Sequence, residues 1–398
     1  MSYSYRSTRT SSAANRYPRT AHKRNSSRKT GQYIDPQRFI AQATVSETEV
    51  YAPQNSFADF ELNELLHTNL MKMGYKNPSP IQDQAIPIGL QNRDIIGIAG
   101  TGTGKTASFA LPVLERLMTD QNSAALIIAP TRELAQQIEE ACRSLAKGSG
   151  LTGALLIGGV GMGSQLRDLR FSPRIVIGTP GRIKDHLKRG TLRLNKFNLV
   201  VLDEVDRMLD MGFINDVREI VSQTSSTKQS FFFSATMDAQ IRNLIEAFTQ
   251  DPVTISIKAS KASENVHQDV VRYHSNSDKI DQLHDLLLKE GVSKTIVFDD
   301  TQRSVERLSK ELIERGFSAD AIHGGKSQGQ RQRALTKFKK NEVTILVATD
   351  VAARGIDIAD ISHVINYSTP KAYDDYIHRI GRAGRAGNVG HALTFVAK

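Results

Sequence analysis

The sequence predicts an α/β protein: two tandem domains, each a mostly parallel sheet covered by helices on both faces, behind a disordered basic N-terminal tail. Three observations carry this expectation. From about residue 51, short apolar runs of strand length alternate with amphipathic stretches, the pattern of strand–helix–strand units with right-handed crossovers. A polar stretch, KASKASENVHQD at 258–269, interrupts the alternation once, and each side is long enough to fold alone. The first thirty residues have almost no aliphatic side chains and cannot bury enough surface to order themselves. The expected divisions are a tail at 1–33, a short docking helix and linker at 34–54, a first domain at 55–257, a linker at 258–268 and a second domain at 269–398.

The elements follow in order. Residues 1–40 hold nine Lys or Arg against one acid, Asp35, so most of the net charge of +10 belongs to the tail. Tyr3, Tyr5 and Tyr17 stand among those arginines, a composition that suits loose contact with a single strand of nucleic acid, cations on phosphates and rings on bases. A solubilising tail with no partner is the alternative. At 34–43, IDPQRFIAQA places Asp then Pro at a helix start and offers Ile34, Phe39 and Ile40 for burial. The first domain should contain strands at DIIGIA (94–99), AALIIA (124–129), RIVIGT (174–179), LVVLDE (199–204) and SFFFSAT (230–236). The second should contain KTIVFD (294–299), VTILVATD (343–350), HVINYS (363–368) and a last strand in HALTFV.

Composition excludes several classes. No apolar run approaches the roughly 18 residues of a membrane span. The N-terminus lacks the apolar core of a secretory signal and the helical apolar stripe of a transit peptide. One cysteine, Cys142, rules out an intrachain disulfide or thiolate cluster; in the helix-like LAQQIEEACRSLA it reads as a buried, inert thiol in a reducing, cytoplasmic setting.

Chemistry concentrates after the first strand, in AGTGTGKTASFALPVLERLM. Across Gly100, Thr101, Gly102, Thr103 and Gly104 the glycines let backbone N–H groups curl around phosphate, with the positive end of the next helix behind them. Lys105 would reach the β- and γ-phosphates, and the Thr106 hydroxyl would ligate Mg²⁺. The stricter pattern has Gly where Ala99 stands. In LVVLDEVDRM (199–208) an apolar run leads straight into Asp203, Glu204 and Asp206, and buried carboxylates need a partner or a ligand. Asp203 is expected to hold the metal's hydration shell and Glu204 to polarise the attacking water. The plain alternative is that Asp203 and Asp206 only cap the following helix.

Together these pieces resemble the DEAD-box family of ATP-dependent RNA helicases over residues 55–396. The resemblance implies two RecA-like domains, ATP and Mg²⁺ as cofactors, RNA as partner, and a monomer in the cytoplasm. Phe57 and GYKNPSPIQ (74–82) are similar to the adenine-recognition element, which implies that the Gln82 amide reads adenine and that Phe57 and Tyr75 contact the nucleotide. PTRELA, Gly158-Gly159 and TPGR look like RNA-backbone elements, implying contacts from Pro130, Thr131, Arg132, Gly159, Thr179 and Arg182. SAT implies a link between hydrolysis and RNA binding through Ser234 and Thr236, with Asp206 and His378. In the second domain HGGKSQGQR, TDVAARGID and HRIGRAGR imply RNA contacts from Gln328, Arg331 and Thr349, nucleotide contacts from Gly355 and Asp357, and arginine fingers at Arg382 and Arg385.

The activity so implied is an RNA-dependent ATPase that clamps a single strand between its domains through sequence-independent contacts and locally separates short duplexes or remodels ribonucleoproteins. Its rivals are an ATP-gated clamp serving as a binding platform and a DNA helicase of the same superfamily, the latter disfavoured by the Phe57–Gln82 element and PTRELA. Three positions depart from the family pattern: DEVD stands for DEAD, Gly100 for the usual Gln, and Ala383 for a common Thr. None removes a charged participant. The sequence stops soon after HALTFV, so added RNA affinity is expected from the N-terminal tail.

Overall fold

Strands rich in Ile, Val, Leu and Phe with no polar face settle only between two layers of helix, and a computed structural model of the chain places them so. It describes residues 34–43, 51–100, 102–257, 265–353, 358, 360–384 and 389–398. In the first domain β1 (Ile95–Ile98), β2 (Ala125–Ile128), β3 (Gly153–Leu156), β4 (Ile175–Gly178), β5 (Leu199–Leu202), β6 (Gln229–Ser234) and β7 (Val253–Ser256) form one parallel sheet. Its order is β3-β4-β2-β5-β6-β1-β7. In the second, β8 (Val266–Tyr273), β9 (Thr295–Phe298), β10 (Ala319–Ile322), β11 (Ile345–Ala348), β12 (His363–Asn366) and β13 (Gly390–Ala397) form another, ordered β10-β11-β9-β12-β13-β8 and again parallel. The expected architecture of two tandem helix-covered sheets is borne out.

Each sheet is buried on both faces. Along β5, Leu199 and Val201 enter one apolar layer while Val200 and Leu202 enter the other. Cys142 is buried, and burial pushes its thiol up to about 12, so it stays protonated. Among the described residues no helix is long and apolar enough to cross a membrane.

Strand order fixes where the chemistry gathers. Loops at the carboxyl ends of β1, β5 and β6 come together because those strands are neighbours, and the loops after β2, β3 and β4 gather on the other half of the same edge.

The N-terminal expectations need adjustment. The tail at 1–33 lies outside the described residues. The docking helix is a single 3-10 turn, Pro36–Phe39, capped by the Asp35 carboxylate, which accepts from the Gln37 N–H at 2.9 Å. Ile34 and Phe39 are buried, but Ile40 is half exposed because so short a turn turns only one side inward. The second domain begins earlier than expected, since Val266, placed in the 258–268 linker, is fully buried at the head of β8.

Three histidines stack in register across β8, β13 and β12. The His363 and His391 rings lie 4.7 Å apart and those of His391 and His267 5.3 Å apart. Burial, and secondarily the neighbouring imidazole, pushes His363 down to about 4 and lowers His391 as well. An unfolded histidine titrates near 6.5, so the unfolded chain binds more protons than the folded one between that value and about 4. The stability these neutral rings confer is complete above the unfolded value and is lost as pH falls. Thermal unfolding of the second domain should therefore shift downward between pH 7 and 5, and His363→Asn should flatten that dependence; parallel pH curves for the two proteins would count against the histidine ladder.

Candidate active site

The turn after β1 is shaped by glycine. Gly102 and Gly104 have φ of 78° and 93°, and a Cβ on Gly104 would run into the Gln82 amide. That amide bridges two elements: its nitrogen donates to the Gly104 carbonyl at 3.1 Å, while its oxygen accepts from the Ser79 N–H at 2.9 Å. The Ser79 hydroxyl donates to the Thr103 carbonyl at 2.7 Å, and the Thr103 hydroxyl to that of Gly100 at 2.9 Å. Gln82 thus holds the turn, and an amide so engaged keeps one N–H and one lone pair to offer. Lys105 folds over the turn, donating to the carbonyls of Ala99 at 2.8 Å and Gly100 at 3.1 Å. Thr101 lies outside the described residues.

Tyr75 reaches the site and Phe57 does not. Phe57 is buried in the first-domain core with its ring edge-on to Tyr75 at 5.6 Å, so it positions Tyr75 from behind. Beside Gln82, Asp83 is buried and accepts from Tyr51 Oη at 2.5 Å, from the N–H groups of Gln54 and Asn55 at 2.8 and 3.1 Å, and from Asn55 Nδ2 at 2.7 Å. Burial raises this carboxyl, but those hydrogen bonds more than offset it and leave it below its usual value.

The acids after β5 divide the work. Asp203 is 2% exposed with Oδ1 unpartnered, and burial lifts its carboxyl well above the usual range, Lys105 opposing and Glu204 adding. Glu204 takes a left-handed conformation, φ 56°, a strain of about 1–3 kcal/mol for a residue with a Cβ. It points toward the buried Arg207 at 3.4 Å, a neighbour that lay unremarked inside the quoted LVVLDEVDRM. Asp206 grips the segment after β6, its Oδ2 accepting from the N–H groups of Ala235 at 2.9 Å and Thr236 at 3.2 Å, while its own N–H meets the Ser234 hydroxyl at 3.3 Å. A helix cap alone would not tie these two loops together.

Both domains contribute to one cavity of about 450 Å³. Gly102, Gly104, Lys105, Thr106, Tyr75, Asp203 and Glu204 line it from the first domain, Lys339 and Arg382 from the second. A buried carboxylate with an orphaned oxygen, lining the same cavity as a threonine, offers the hard oxygen donors that suit a magnesium ion. Arg382 follows the helix Tyr373–Ile380, which also bears the half-buried His378. Arg379 clamps that helix through Asp350, at 2.5 and 2.7 Å. Gly355, Asp357 and Arg385 lie outside the described residues.

The loops after β2, β3 and β4 lie side by side at one edge of the first sheet. Pro130 is buried, and Thr131 caps the helix Arg132–Leu145, accepting from the Leu134 N–H at 3.3 Å. Arg132 packs across Gly158 and Gly159, where a Cβ on Gly159 would collide with the guanidinium. Arg182 donates to the Val160 carbonyl at 3.1 Å from the helix that Thr179 starts. Thr349 is buried at the end of β11.

Gln328 and Arg331 are placed differently from the RNA contacts expected of them. Both are buried against the first domain: Arg331 pairs with Glu133 at 2.8 Å, and Gln328 donates to Gln136 at 3.0 Å. Glu133 stands inside PTRELA, but its partner lies 198 residues away and spacing could not reveal it. Because a buried pair that loses one partner costs about 3–5 kcal/mol, Glu133→Ala should drive the domains apart. Fluorescence transfer between dyes on the two domains should fall; an unchanged distance distribution would show that the pair does not hold them.

Comparison with known proteins agrees with this geometry. A family model described as DEAD/DEAH box helicase matches residues 79–244, and one described as helicase conserved C-terminal domain matches 278–387. The DEAD-box ATP-dependent RNA helicase CshA of Bacillus subtilis is 43% identical over 342 residues, 86% of this chain and 69% of that protein. The Geobacillus kaustophilus CshA is also 43% identical, over 86% of this chain and 73% of its own. Among solved structures, S. cerevisiae Dbp5 bound to RNA and ADP BeF3 is 30% identical, covering 86% of this chain and 90% of that one with a TM-score of 0.75. A DEAD box protein from Methanococcus jannaschii is 38% identical over 86% and 93%, with a TM-score of 0.51. Two family models that between them take in most of residues 79–387, and 43% identity to DEAD-box ATP-dependent RNA helicases over 86% of the chain, identify this protein as a member of the DEAD-box family of ATP-dependent RNA helicases.

Proposed function

We propose that the chain is an RNA-dependent ATPase that clamps single-stranded RNA between its domains, separates short duplexes and remodels ribonucleoproteins. The observation that carries this reading is the shared cavity, in which Lys105, Asp203 and Glu204 of one domain face Arg382 of the other. Tyr75 and the free half of the Gln82 amide take the adenine, Gly355 and Asp357 the ribose, and the glycine turn with Lys105 the phosphates. Thr106 and Asp203 would hold magnesium, which neutralises phosphate charge. Glu204 orients the attacking water, and Arg382 with Arg385 meets the charge developing on the γ-phosphoryl oxygens, a contribution of about 10³ to 10⁵ in rate.

RNA supplies the closure. Arg132, Gly159, Thr179 and Arg182, with Pro130 and Thr131 shaping the loop, meet phosphates and 2′-hydroxyls from the first domain and Thr349 from the second. Gln328 and Arg331 act by drawing the domains together. Asp206, gripping the Ser234–Thr236 segment, and His378, on the helix before Arg382, relay between hydrolysis and RNA. The basic tail adds electrostatic affinity, and the protein works as a cytoplasmic monomer.

ATPase assays with single-stranded RNA, single-stranded DNA and neither test the reading. Turnover should rise with RNA alone; equal stimulation by DNA would overturn it, and RNA-gated turnover without strand release would favour the clamp. Glu204→Gln should preserve ATP and RNA binding and lower turnover by about 10² or more; near-normal hydrolysis would remove Glu204 from the chemistry.

A further inference from the structure

The N-terminal segment touches both domains at places that bear on the cavity. Residues 34–43 lie wholly on the second. Phe39 is 0% exposed, its ring 4.7 Å from that of Tyr376, and the Arg38 guanidinium sits 3.9 Å over the Tyr373 ring. Tyr373 and Tyr376 belong to the helix Tyr373–Ile380, whose end leads directly to Arg382. The segment is also sewn to the edge strand β8, where Ala41 exchanges backbone hydrogen bonds with Gln268 at 3.0 and 2.8 Å and the Ala43 N–H meets His267 Nδ1 at 3.2 Å. Gln268 in turn accepts from the Tyr376 hydroxyl at 2.9 Å. Two contacts of one short segment thus meet one helix directly, and a third reaches it through Gln268.

That helix has two anchors. Arg379 fixes its carboxyl half to Asp350, and the Arg382 N–H continues the turn by donating to the Arg379 carbonyl at 3.1 Å. Its amino half, Tyr373 and Tyr376, meets the N-terminal segment. Arg382 lies close to the first anchor, and the second fixes the direction in which the helix leaves it, so the two together set the orientation of the turn from which the Arg382 side chain extends.

Further along the chain, Tyr51, Gln54 and Asn55 are fixed to Asp83 of the first domain, next to Gln82. Seven residues join the two anchorages, 44–50, and an extended chain of that length reaches no more than about 28 Å. Wider separation of Ala43 from Tyr51 requires one anchorage to let go.

We propose that residues 34–43 are a positioning element for the hydrolysis reaction: Phe39 and Arg38, packed on the helix Tyr373–Ile380, brace it so that Arg382 is held at the shared cavity. The element acts through Arg382 and touches no reacting atom. The inference rests on the reading that Arg382 meets the γ-phosphate, and its test separates the two.

The test uses the full chain with saturating poly(U) RNA and counts nucleotide sites by the stoichiometry of a fluorescent ADP, so that turnover is expressed per binding-competent site. Phe39→Ala should lower turnover per site about 10-fold while KM for ATP stays within about 2-fold, and Phe39→Leu should recover most of the loss. Arg38→Ala changes an exposed side chain and leaves the core intact; it should lower turnover per site about 3-fold with an unchanged melting temperature, and it carries the test should Phe39→Ala fail to fold. A merely structural role would reduce the number of sites and leave turnover at each untouched, which would overturn the proposal, as would unchanged turnover in both variants. Arg382→Ala is the reference. If it retains full RNA-stimulated turnover, the arginine-finger reading falls and the brace with it; if it is inactive while Arg38→Ala and Phe39→Ala match the parent, the brace alone falls.

Discussion

Asp203 stands at the carboxyl end of β5 with an oxygen that no group among the described residues meets, and a carboxylate there is tolerated only where its charge is answered. Lys105 answers it in part, across the gap between β5 and β1, and the shift of the carboxyl toward its neutral form shows that the answer is incomplete. Much of the first domain serves this one arrangement. β6 lies between β5 and β1 in the sheet, which brings the glycine turn, the acids and the Ser234–Thr236 segment to one edge. Asp206 then ties the acids to that segment through the backbone, so a change on one side of the site is felt on the other.

The second constraint is division of charge. The first domain contributes Lys105 to the cavity together with Glu140, Asp203 and Glu204; the other two cations that line it, Lys339 and Arg382, stand on another body. Chemistry is therefore conditional on the placement of two domains, and the contacts between them carry functional weight. Glu133 with Arg331 is such a contact, nearly dry on both sides. Arg331 cannot shed its charge, so the pair is intact or costly, with little between.

Around Arg382 the second domain concentrates its anchors on a helix of eight residues. Asp350, Gln268 and Phe39 come from the short helix Asp350–Ala353, an edge strand and the N-terminal segment, and each takes hold of it. The edge of the second sheet is covered at the same time, since β8 is its outer strand and Ala41 pairs with it.

How much of this could be read in advance depended on burial. Every strand named from the sequence is a central one, whereas the four that were not, β3, β7, β8 and β10, are the edges of the two sheets. Edge strands meet water on one side and tolerate polar residues, as in VTIS and ADAI, so their apolar signature is weak. Local sequence determined the two-domain α/β class, the glycine turn, the acids after β5 and the short motifs, because each depends on residues adjacent in the chain. Tertiary structure alone decided that Phe57 stands behind Tyr75, that Arg331 and Gln328 meet the first domain, that Arg379 holds Asp350 and that Phe39 lies under Tyr376. Those pairings join residues separated by tens to hundreds of positions, and a long-range contact is set by how sheets and helices pack in space, which spacing along a chain does not encode.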